Sequence, residues 1–142
     1  MEIDKKLKKF SKEFFSKSLN FLELKYIEDK GGESIFTCNF KDTYSNPMGF
    51  VQGGMITAAL DDATSAAMIS GYDEKKVPLT TDLHVLFHRP LEKGTAVIKV
   101  KIIKLGRKSS TSEGRIFNKD DKLVATLLPV SYTHLTLPTI FR

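Results

Sequence analysis

The sequence predicts an α+β domain: a bent antiparallel sheet wrapped around one long central helix, with a shorter helix at the N-terminus. Three observations carry this. The stretch from about Gly53 to Gly71 is rich in Ala and has Asp61 and Asp62 as its only charges, a composition suited to a helix buried by a sheet curled around it. Two strand-like segments precede it and four follow, and the links between successive strands are short, which favours antiparallel pairing. The one long helix must then lie against that sheet.

The elements follow in order. Ile3, Leu7, Phe10 and Phe14 recur at helical spacing with lysines between them, which predicts an amphipathic helix packed on the sheet. Phe21 to Ile27 alternates as a strand does, Lys30-Gly31-Gly32 reads as a turn, and Ser34–Phe40 as the second strand. Lys41–Phe50 has loop composition, with Asp42, Ser45, Asn46, Pro47 and Gly49. After the central helix, strands are expected at about Leu79–His88, Thr95–Leu105, Ser109–Asn118 and Lys122–Val130, punctuated by Gly94, Gly106-Arg107 and Asp120-Asp121. The domain is expected to occupy residues 1–130. Residues 131–142, SYTHLTLPTIFR, contain no acid or lysine although 27% of the chain is charged, and read as a non-native tail.

Composition narrows the function. A chain of 142 residues suits one domain, and 41% hydrophobic residues can fill one core. Its single cysteine, Cys38, excludes an internal disulfide and a Cys-based zinc site. The charge of 22 − 17 = +5 is mild, and no basic stripe is interleaved with aromatics, so nucleic acid is not an expected partner. No run reaches the roughly 18 apolar residues of a membrane span, and no apolar stretch follows the N-terminal lysines as in a signal peptide. A cytoplasmic location is expected. His84 and His88 fall about 13 Å apart on a strand, too far to share one ion, so no metal site is expected.

Within the central helix the two acids separate by angle. At about 100° per residue from Met55, Thr64, Thr57, Asp61 and Ser65 fall at about 180°, 200°, 240° and 280°, one polar arc. Asp62 falls at about 340°, among Met55, Ala66 and Ile69, with solvent or a subunit boundary as its candidate surroundings. The loop before the helix ends in Gln52-Gly53-Gly54. Paired glycines at a helix start leave N–H groups unobstructed, and the helix dipole adds positive potential there. Such donors can hold a carbonyl oxygen that turns negative in a transition state.

Asn46, Gln52-Gly53-Gly54 and Asp61 together resemble the signature of the hotdog-fold acyl-CoA thioesterases, especially their phenylacetate-pathway (PaaI-like) branch. In that signature an Asn is followed six residues later by His-Gly-Gly, and the catalytic Asp lies nine past the His. Here Gln52 stands six after Asn46 and Asp61 nine after Gln52. Thr81–Pro90 (TDLHVLFHRP) is similar to the family's third strand and Lys122–Thr126 to its last. The resemblance spans about Phe21 to Thr126 and implies the hotdog fold, assembled as a homodimer or homotetramer.

It also implies roles. Asp61 would be general base or nucleophile, and the Gly53 N–H would polarise the thioester carbonyl. Asn46 would position thioester or water, and Ser65 and Thr80 match water-orienting hydroxyls. Asp61 would come from one subunit and the Asn46–Gly53 loop from its partner. The substrate would be an acyl-CoA, cleaved to free acid and CoA with no metal and no cofactor beyond the CoA it carries. A carboxylate screened from bulk water can accept a proton from an attacking water or attack the carbonyl itself. The chain departs from the family at Gln52, which can donate an amide hydrogen bond but cannot exchange protons near neutral pH. A non-catalytic acyl- or CoA-binding hotdog protein, an acyl carrier protein thioesterase and a dehydratase are the alternatives. Gly54 belongs with the glycine donors. Met48, Phe50, Met55, Ile56 and Phe87 are candidates to line the acyl pocket, and Arg107 at a strand turn to meet CoA phosphate.

Overall fold

Alternation decides which side of each strand meets the helix. The computed structural model describes residues 16–73 and 75–134. It contains β1 (Lys25–Lys30), β2 (Glu33–Phe40), α1 (Gly53–Gly71), β3 (Val77–Phe87), β4 (Gly94–Leu105), β5 (Ser109–Phe117) and β6 (Leu123–His134). The strands form one antiparallel sheet in the order β1-β2-β4-β5-β6-β3. On β5 every second residue is buried, namely Ser110, Ser112, Gly114 and Ile116. Ser110, Ser112 and Gly114 are small where α1 crosses. A Cβ on Gly114 would lie 2.9 Å from the Thr64 methyl, so only glycine admits the helix this closely.

The helix answers with small residues of its own. Ala59, Ala63, Ala66 and Ala67 are buried with Ile56 and Leu60 against Phe36, Phe40, Ile98, Val100, Ile116, Val124 and Leu127. The alanines lower the helix's profile and the larger sheet residues fill the space. Burial of this apolar surface, at about 25 cal/mol per Å², is the main force holding helix to sheet. The buried Cys38 belongs to the same core, where desolvation pushes its thiol up to about 12. It therefore stays protonated and packs as a small hydrophobe.

Three expectations meet the structure differently. The expected N-terminal helix lies outside the described residues. Phe21–Leu24 is not strand: a 3-10 turn covers Lys17–Leu22, and Glu23 takes a left-handed φ of 51° before β1 begins. Leu22 is 1% exposed, and anchoring it in the core from a turn breaks the alternation the sequence suggested. At the other end, β6 runs to His134, into the segment set apart by composition, and pairs Ser131–His134 with Val77–Thr80.

The polar arc on α1 is not a solvated face. Thr64 is fully buried, its hydroxyl donating to the carbonyls of Leu60 and Asp61 at 2.9 and 3.0 Å. A threonine can be buried this way because its own helix satisfies it.

β3 ends the sheet, and its outer edge carries exposed Leu79, Leu83, Leu86 and Phe87. No helix among the described residues is long and apolar enough to cross a membrane.

Candidate active site

The start of α1 is built by two side chains. The Asn46 carbonyl Oδ1 accepts from the N–H groups of Met48 and Phe50 at 3.0 and 3.1 Å, which folds residues 46–50 into a turn. Gln52 is the N-cap: its Oε1 accepts from the Met55 N–H at 3.1 Å. That bond fixes which end of the amide faces the helix and leaves the Gln52 NH2 as an outward donor. The first N–H groups of a helix have no intrahelical partner. With Met55 capped, the N–H groups of Gly53 and Gly54 are the donors left at this end. A Cβ on Gly54 would come within 2.9 Å of Gln52 Oε1, and one on Gly53 within 3.2 Å of the Phe87 ring. A side chain at either position would have to displace the end of a neighbouring side chain, Gln52 at Gly54 and Phe87 at Gly53.

This end of α1 opens on a cavity of about 420 Å³. Gly53 lines it together with Asn46, Met48, Phe50, Ile56 and Phe87. The expected pocket residues are thus gathered except Met55, which is not among its walls. His88 also lines it, with its Nε2 3.0 Å from Thr126 Oγ1.

Two turns further along α1, Asp61 is half-buried and its Oδ1 accepts from Thr80 Oγ1 at 3.0 Å. Oδ2 has no hydrogen-bond partner among the described residues. One carboxylate oxygen is held and the other is open, with half-buried Ser65 one turn beyond. Asp61 does not line the Gly53 cavity. The eight-residue step from one to the other spans about 12 Å of helix axis. One chain thus assembles two groups, Asn46–Gln52–Gly53–Phe87 and Asp61–Thr80, at different levels of the same helix.

Arg107 joins neither. It lies on the β4–β5 turn at the far end of α1, where the Lys76 ammonium donates to its carbonyl at 3.1 Å and Tyr72 Oη donates to the neighbouring Gly106 carbonyl at 2.7 Å.

Asp62 has a partner that no local pattern announced. The N–H and hydroxyl of Ser16 donate to its two carboxylate oxygens at 3.0 and 2.9 Å, tying the entry of the Lys17–Leu22 turn to α1. Burial raises the Asp62 pKa, the Ser16 bonds oppose that shift, and the Asp61 charge adds to it. The sign follows from linkage. A carboxyl with a raised folded pKa binds more protons folded than unfolded, so stability falls as pH rises from the unfolded value towards the folded one. Asp62→Asn should remove that part of the acid-side slope, as urea unfolding from pH 3 to 7 will measure.

The geometry now meets its relatives. Residues 48–125, more than half of the chain, match the model of the thioesterase superfamily, and the chain belongs to that superfamily. Its fold is the hotdog fold. The structure of a thioesterase from Haemophilus influenzae superposes with a TM-score of 0.82 at 18% identity, covering 92% of each chain. A Ralstonia eutropha protein, provisionally described as a thioesterase and related to phenylacetic acid degradation, gives 0.74 at 26% identity over 84% of this chain and 98% of its own. A Streptococcus mutans protein whose structure holds acetyl-CoA gives 0.72 at 19% identity, over 80% and 90%.

Proposed function

We propose that this protein hydrolyses acyl-CoA thioesters to the free acid and CoA, with Asp61 as general base or nucleophile. The observation that carries the reading is the Thr80–Asp61 hydrogen bond. It orients a half-buried carboxylate with one oxygen open to a water or to the thioester carbon. The Gly53 N–H, at the positive end of α1, would receive the carbonyl oxygen as it gains negative charge. The water oxygen bonds to the carbonyl carbon, the C–S bond breaks, and the proton taken by Asp61 passes to the departing sulfur. These groups suffice for the reaction without a resident metal or cofactor. Gln52, held by its capping bond, would donate through its NH2 towards the substrate; the fixed donor suits binding, not proton transfer.

The active form would be a homodimer at least. A long edge strand bearing Leu79, Leu83, Leu86 and Phe87 exposed, with Asp82 its only acid and no lysine, is what an edge-to-edge pairing covers. Pairing β3 with its copy would bring the Asp61 group of one chain towards the Gly53 cavity of the other, joining what one chain keeps apart. The likeness to a phenylacetic acid degradation-related protein supports the PaaI-like branch, and the acetyl-CoA held by the S. mutans neighbour supports a CoA thioester as substrate. A cytoplasmic setting, where acyl-CoAs are made and used, fits this activity.

The test is thiol release from aryl, short-chain and long-chain acyl-CoAs by the purified oligomer. Release from one class, saturating with substrate, is expected. No release from any of them, with ligand still bound, would leave the binding-protein alternative in its place.

A further inference from the structure

A small cavity of about 250 Å³ lies at the far end of α1, between its last turn and the β1–β2 hairpin, and shares no wall with the Gly53 cavity. Strand register builds its floor. Asp29 pairs with Ser34 and Ser34 with Val100, so the three form one row across β1, β2 and β4. Residues paired this way share a face of the sheet, and buried Val100 puts that face against α1. Ala67 and Ser70, three apart and so on one side of the helix, cover the row, and Ile102 adds a further apolar wall. No lysine or arginine is among the walls. Glu33 at the rim is already neutralised by Arg115, whereas Asp29 is exposed and has no ion-pair partner among the described residues. The negative end of α1 adds to the charge of Asp29. Ser70 supplies the second, independent observation. It is 7% exposed, and its buried Oγ has no hydrogen-bond partner among the described residues. Thr57 and Thr64 on the same helix satisfy their hydroxyls by donating to a carbonyl one turn back, and Ser70 does not. A buried hydroxyl left unpaired is costly, so a polar group entering beside it gains a ready partner.

We propose that this cavity binds a small primary alkylammonium, its N–H groups donating to the Asp29 carboxylate and the Ser34 and Ser70 hydroxyls. Three donors on one cationic nitrogen match three oxygens, one of them charged. The apolar walls of Ala67, Val100 and Ile102 suit a short hydrocarbon chain. They do not suit a hard metal ion, which wants oxygen on every side. Ser70 lies seventeen residues after Gly53, about 26 Å along the helix axis. The ligand therefore sits clear of the Gly53 cavity, and the proposal stands or falls independently of the hydrolase reading.

The experiment follows backbone amide NMR signals of the full chain while n-butylammonium chloride is added. Shifts should saturate and centre on Asp29, Ser34, Ser70 and Gly71. Asp29→Asn should weaken binding about tenfold, as loss of a charge-assisted contact does, and Ser70→Ala about fivefold. Asp29 is exposed and Ser70→Ala removes a single oxygen, so both variants should keep the wild-type spectrum away from the cavity. Two further probes separate the parts of the interaction. Tetramethylammonium has the charge without the N–H groups, and n-butanol has the chain without the charge. Each should bind at least about tenfold more weakly than n-butylammonium. Absence of a saturable shift at these residues in wild type would overturn the proposal. So would equal binding by wild type and both variants, or binding of tetramethylammonium or n-butanol as tight as that of n-butylammonium.

Discussion

Asp61→Asn will lower kcat for thioester hydrolysis at least about a hundredfold, some 2.7 kcal/mol of barrier. The substitution is nearly isosteric, and the Asn oxygen can still accept the Thr80 hydroxyl that now reaches Oδ1 at 3.0 Å. Position is kept and charge is lost, which separates chemistry from folding. Stability should shift by no more than about 0.5 kcal/mol, in line with a substitution that leaves packing and hydrogen bonding in place. KM should hold, because a group acting on the water or the carbonyl carbon contributes in the transition state more than in the bound substrate. Thr80→Val tests the same geometry from the other side. It leaves the carboxylate charged but unheld, and should cost less than Asp61→Asn. An Asp61→Asn protein that binds acyl-CoA and cleaves it at the wild-type rate would remove Asp61 from the mechanism.

Much of this fold is legible in the chain because period and composition point the same way. The alternating burial of β5 and the Ala-rich surface of α1 are two halves of one packing solution, and each can be read without the other. Legibility stops where tertiary contact overrides local pattern. Phe21–Leu24 alternates like a strand, yet Leu22 enters the core from a 3-10 turn. Thr64 looks like part of a solvated arc on a helical wheel, yet it is fully buried because Gly114 makes room for its methyl and its own helix satisfies its hydroxyl. The candidate site divides in the same way. Asn46, Gln52, Gly53 and Asp61 carry the spacing of the family signature, and their roles come from that resemblance; all four shape or sit on one helix and its entry. The family resemblance implies Thr80 only as a water-orienting hydroxyl, and its bond to Asp61, across 19 residues, is visible in the structure alone. The Ser16–Asp62 bond joins residues 46 apart and leaves no trace in either neighbourhood. Arg107 drew attention as a basic turn. Arg89, which does line the Gly53 cavity, comes from the β3–β4 loop, where no motif marks it.

Gly53→Pro will lower kcat by about 10²–10³, the cost of losing one oxyanion donor. The change is unusually clean at this position. Gly53 is the first residue of α1, where proline is well tolerated because the missing N–H has no partner in the helix. Gln52 before it already has φ −64° and ψ 133°, the extended conformation that a following proline requires. The new Cβ would meet the Phe87 ring at 3.2 Å, but that ring is 53% exposed and can turn aside. Gly53→Ala imposes the same Cβ and keeps the N–H, so the difference between the two variants isolates the donor. The two inactive proteins then test whether sites are shared. In a two-fold dimer of Asp61→Asn with Gly53→Pro, one site would carry both lesions and the other would have Asp61 from the Pro chain and Gly53 from the Asn chain. Random exchange should therefore restore about a quarter of wild-type activity, half the dimers being mixed with one intact site in two. Co-expressed and separated by tag, the mixed dimer alone should reach about half. A mixed dimer as inactive as its parents would mean that Asp61 and Gly53 serve the same site within one chain, and the helix, not the β3 edge, would have to bring them together.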